Sequence, residues 1–74
     1  MEGDLSVEVR GDLIIVTKSG TEFTATYHKP DGRPLLRLLS ATDDPKADRE
    51  AIFVFRGEAF IAAMRKAREL GWIV

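Results

Sequence analysis

His28 is the single histidine among 74 residues, and with three serines and no cysteine it sets what covalent or proton-transfer chemistry the chain can offer. Nucleophilic catalysis needs a hydroxyl or thiol beside a base that a third group orients. Ser6 falls on an outward strand position, Ser19 and Ser40 read as turn residues, and His28 closes a strand-like run just before Lys29-Pro30. That spacing builds no triad, and the chain carries no G-x-S-x-G, phosphate loop, dinucleotide fingerprint or H-E-x-x-H. Asp43, Asp44, Asp48 and Glu50 form a carboxylate cluster. A calcium loop, however, needs oxygen ligands at alternating positions around a sharp glycine turn. Pro45 and Lys46 stand where ligands belong, and Lys46 and Arg49 neutralise the segment from within, so a solvated loop is expected. Arg10-Gly11-Asp12 spells the integrin adhesion tripeptide, but Gly11-Asp12 is required there as a turn. The expectation is a non-enzymatic protein with no catalytic, cofactor or metal site.

The elements that would position these residues follow from periodicity. Leu5, Val7 and Val9 alternate with Ser6, Glu8 and Arg10, the period of a half-buried strand. After the Gly11-Asp12 turn, Leu13–Val16 resumes the apolar pattern. Ser19-Gly20 reads as a second turn of the same sort, and Phe23, Ala25 and Tyr27 alternate through a third strand. Lys29-Pro30-Asp31-Gly32-Arg33-Pro34 is the densest turn signal, and Leu35–Leu39 after it is read as a fourth strand. Thr42–Glu50 is an exposed loop with a short helical turn capped by Asp44 at Pro45. Ala51–Phe55 is β-branched and aromatic and reads as another short strand.

From Glu58 the period changes. Phe60, Ala63, Met64, Ala67 and Leu70 form one helical apolar stripe, with Glu58, Ala62, Arg65, Lys66 and Glu69 opposite. Gly71 stands as the residue after the helix cap, with Trp72-Ile73 folding back over the last turn. The expected fold is α+β: an antiparallel β-meander of three to five short strands with one C-terminal α-helix packed on one face. Residues 1–74 make one domain.

Composition narrows the partners. A hydrophobic fraction of 45% and a net charge of −1 give no support to bulk binding of nucleic acid or anionic membrane. Without cysteine there is no disulfide or thiolate zinc site to staple so thin a core. The opening Met1-Glu2-Gly3-Asp4 lacks the basic and apolar regions of a signal peptide, and no apolar run approaches a membrane span. The cytoplasm is therefore the expected compartment.

Two surfaces remain as candidates. Leu13–Thr17 is apolar on both faces while one helix covers one, so a self-associating sheet face is expected, lined by Ile14, Val16, Phe53 and Phe55. The expected partner is a second copy, forming a homodimer, or another protein. The alternative is a basic patch for nucleic acid or an anionic ligand, formed by Arg33, Arg37, Arg65, Lys66 and Arg68. It draws on charge unevenness: residues 27–40 and 59–74 each carry +2, against −3 for residues 1–26 and −2 for residues 41–58.

The tail Ala59–Val74, ending Ala-Arg-Glu-Leu-Gly-Trp-Ile-Val, together with Tyr27-His28-Lys29-Pro30, resembles small bacterial conserved-hypothetical proteins. That family has no assigned activity, so the resemblance implies a bacterial origin and nothing about chemistry.

Overall fold

A computed structural model describes residues 5–30, 32 and 35–73. Four strands, β1 (Leu5–Arg10), β2 (Leu13–Lys18), β3 (Thr24–His28) and β4 (Arg37–Thr42), precede one helix, α1 (Arg49–Glu69). The strands pair antiparallel in chain order, so the sheet is a meander with β1 and β4 at its edges. This is the α+β architecture that the alternation pattern implies.

The β1–β2 hairpin pairs Arg10 with Leu13 around Gly11-Asp12. Gly11 takes φ 59°, and among the described residues none other than glycine has positive φ, which fits a type II′ turn with Asp12 as its second residue. The β2–β3 connection is longer than a two-residue turn. The Thr21 N–H and hydroxyl both donate to the Lys18 carbonyl, and pairing resumes only at Thr17–Thr24.

Register carries the core across the strands. Val7 and Val9 oppose Val16 and Ile14, which oppose Ala25 and Tyr27, and residues directly opposite share a face. Against this face lies α1, chiefly over β2 with β1 and β3 beside it. β4 begins two residues later than Leu35 and runs to Thr42, with Leu39 as an extra residue where Thr26 opposes Ser40 but Tyr27 opposes Leu38.

Ala51–Phe55 is helix, not strand, and α1 starts at Arg49 rather than near Glu58. Asp48 is the reason. Its Oδ1 accepts the Ala51 N–H at 2.8 Å, satisfying a free amide of the first turn, and Glu50 complements the helix dipole. The helix then runs through Gly57 without a break. Asp44 caps no helix; it holds a turn at Pro45–Lys46 that precedes the true cap.

The buried row of α1 is Phe55, Ala59, Ala63 and Ala67, one residue per turn. Phe60 and Leu70, expected inside, are 47% and 41% exposed. Small residues face the sheet because they let the helix axis approach Ile14 and Val16, both at 0% exposure. Phe55 supplies the bulk that the alanines lack, stacking on Phe23 with ring centroids 4.6 Å apart. At the far end the Trp72 N–H donates to the Ala67 carbonyl and the Gly71 N–H to Arg68, a Schellman cap with Gly71 at φ 77° that buries Ile73.

A strand would put Phe53 and Phe55 on one face; the helix separates them by about 200°. Phe55→Ala is therefore expected to cost about 3–5 kcal/mol in urea unfolding at low protein concentration. Phe53→Ala should stay within about 0.5 kcal/mol. Equal costs at the two positions would contradict this packing.

Candidate interaction surface

One side of α1 is largely exposed. At 100° per residue, Phe53, Val54, Gly57, Phe60 and Ile61 fall within an arc of about 120° whose centre points away from the alanine row, while Met64, on the same helix, is half-buried against the core. Exposure follows that arc: Phe53 is 80% exposed, Ile61 56%, Phe60 47% and Val54 45%. A helix apolar on both sides ordinarily lies inside a larger assembly, whereas a surface helix carries one apolar stripe. Length adds to the effect. The 21 residues of α1 span about 31 Å, against about 20 Å for a six-residue strand. Phe60 leans at the margin, its ring 6.2 Å from that of Tyr27. Burial raises the Tyr27 hydroxyl's pKa above its usual value, with Arg56 opposing the shift.

Gly57 sits in the middle of the exposed arc. A Cβ there would meet no atom within 4 Å. A glycine inside a helix costs about 0.8–1 kcal/mol relative to alanine, and nothing in the single chain requires it.

The residues expected to line a contact are divided by this arrangement. Ile14, Val16 and Phe55 are closed inside the core, because α1 covers the sheet face that holds Ile14 and Val16. Phe53 alone of the four is exposed. The sheet face left open is the opposite one. It carries Leu13 and Ile15, both half-buried, among Ser6, Thr17, Thr24, Thr26, Ser40 and Thr42. A strand over Ala51–Phe55 hides the outward arc of α1, because it puts Phe53 and Phe55 on one face. The spacing Phe53, Phe60 with Val54, Ile61, seven residues apart in each pair, is the signal that would have found it.

The cations do not converge. Arg37 opposes His28 on the open face of the sheet, while Arg65 and Arg68 are exposed on the helix on the other side. Lys66 is half-buried and pairs with Glu69 at 3.4 Å. Arg33 lies outside the described residues. Lys29 does reach the helix end, joining Gly11, Asp12, Gly71 and Trp72 around a shallow depression of about 410 Å³.

The remaining motifs have structural partners. Arg10 donates to Glu8 at 2.6 Å beside the hairpin turn. Asp43 accepts from Arg56 Nη2 at 3.1 and 3.2 Å, tying the loop after β4 to the helix. Asp44 accepts the Lys46 N–H at 2.8 Å and the Glu22 N–H at 3.1 Å, clamping the β2–β3 loop to the β4–α1 connection. His28 begins its pairing at one end of β4 and Asp43 follows the other, about 20 Å away. Among the described residues no group of three or more His, Asp or Glu is placed to hold a metal ion. No described helix is long and apolar enough to cross a membrane.

The two N–H bonds, from Lys46 and then Glu22, hold the Asp44 carboxyl below its usual pKa of 3.8. A carboxyl depressed by folding stabilises the fold above that value, and the contribution is lost as pH falls through the lower folded value. Thermal melts of Asp44→Asn should thus show a weaker fall in stability below about pH 4 than the native chain. An Asp44 midpoint at or above 3.8 in an NMR titration would contradict the clamp.

Compared with known proteins, this chain matches no family model, no curated protein and no solved structure.

Proposed function

We propose that this protein is a non-enzymatic interaction module whose contact surface is the outward face of α1. The observation that carries the reading is Phe53, 80% exposed, at the head of an arc shared with Val54, Phe60 and Ile61. Exposed apolar area of this kind, contiguous and rimmed by charge, marks surfaces that other chains cover. The rim is supplied by Glu50, Glu58, Arg65 and Arg68, all exposed on the helix. Apolar anchors within a charged border are the common anatomy of a protein interface. A nucleic-acid role has less support, since Arg37 and the helix cations stand on opposite sides of the sheet.

An environment-sensitive apolar dye tests the reading at nanomolar protein, where weak assemblies dissociate. The native chain should bind it, and Phe53→Ser/Ile61→Ser should lose most of that signal while its melting temperature stays within a few degrees. Equal dye binding by both proteins would remove the helix face as the contact surface.

A further inference from the structure

From the pattern on the outward face of α1, we infer that its partner is a second copy of this chain, packed antiparallel with Gly57 on the twofold axis. The inference rests on the reading of that face as a contact surface and adds its occupant.

The arc is symmetric about Gly57. Phe53 and Val54 lie four and three residues before it, and Phe60 and Ile61 three and four after it. A twofold axis perpendicular to two antiparallel helices brings residues of the same flank together on opposite sides of the axis, and here each same-flank pair matches in height to within one residue, about 1.5 Å. Phe53 of one copy then meets Phe60 of the other, and Val54 meets Ile61. Aromatic faces aromatic and aliphatic faces aliphatic, twice over, as an isologous contact demands.

Gly57 gains a reason in this arrangement. Its Cβ-free surface lies where the helices cross, and two glycines there permit an interaxial distance near the lower limit of about 8 Å. Within one chain the position is open to a Cβ, so a partner is what makes glycine useful there. Charge agrees with the direction. Antiparallel packing lays Glu50, in the acidic first turn of one helix, beside Arg65 and Arg68 near the end of the other. Parallel packing would set like charge against like along the same length.

Area fits a weak dimer. With a fully exposed phenylalanine near 200 Å², the four side chains present on the order of 400 Å² per copy. Both copies with their charged rim reach about 1,200 Å², the lower bound of specific interfaces. Micromolar self-association is the corresponding expectation.

The absence of cysteine makes the geometry directly testable. Gly57→Cys should form a disulfide-linked dimer under a mild oxidant. Phe53→Cys alone should not, whereas a mixture of Phe53→Cys and Phe60→Cys should cross-link. Gly57→Ala separates folding from assembly: the monomer's Tm should rise by about 4–8 °C. Its dimer dissociation constant in sedimentation velocity should weaken at least about tenfold. Efficient cross-linking of Phe53→Cys with itself would overturn the antiparallel arrangement, and unchanged association of Gly57→Ala would overturn the axis. A native chain that stays monomeric at high micromolar concentration would overturn the second copy as partner. If such a monomer still binds the dye through Phe53 and Ile61, the helix face stands as a contact surface for another protein; if it does not, both readings fall.

Discussion

The close seating of an alanine row on β2 is the contact on which the rest of the molecule depends. Ala59, Ala63 and Ala67 have no bulk of their own to bury, so they contribute by proximity. They bring the helix backbone down onto Ile14 and Val16, which can then be sealed completely by a single helix. A larger residue in that row would lift α1 and open a gap that no other element is placed to fill. Phe55 and Phe23 close one end of the contact by stacking, and the cap at Gly71 closes the other by turning Ile73 inward.

That economy has a consequence for where the large apolar side chains go. Once the sheet-facing row is spent on small residues, Phe53, Val54, Phe60 and Ile61 are left on the other side of the same helix. The helix is longer than the sheet it covers, so even its flank cannot fold these residues away. The inner core and the outer arc are thus two results of one choice of residue sizes. The acidic residues between β4 and α1 serve the same contact from outside. Asp48 starts the helix, Asp43 anchors it through Arg56, and Asp44 fixes the connection that aims it.

The sheet was largely legible in the amino-acid order, because Leu5–Val9 and Phe23–Tyr27 alternate and the β-branched run Leu13–Thr17 lies between two turn signals. The start of the helix was not. Ala51–Phe55 is rich in residues that favour strands locally, and that weak preference is overridden by a satisfied cap at Asp48 and by core contacts from distant residues. The inward stripe differs from the hydrophobic one for a related reason. Phe60 and Met64 are more hydrophobic than Ala59 and Ala63, but close approach rewards size matching over hydrophobicity. Which face α1 would cover could not be read from β2 alone, since Leu13 and Ile15 are as apolar as Ile14 and Val16. The basic residues show a similar limit: spacing along the chain says nothing about which side of a sheet each reaches.

The order of elements has one more implication, concerning time. Every strand precedes α1, so the aliphatic face of the sheet is synthesised before the element that shields it. At about 5–20 residues per second, the 21 residues of α1 take roughly one to four seconds to emerge. Until α1 docks, Ile14 and Val16 have no cover, and the sheet has unpaired edges at β1 and β4. The sheet face is thus open to other chains for at least as long as the helix takes to be synthesised.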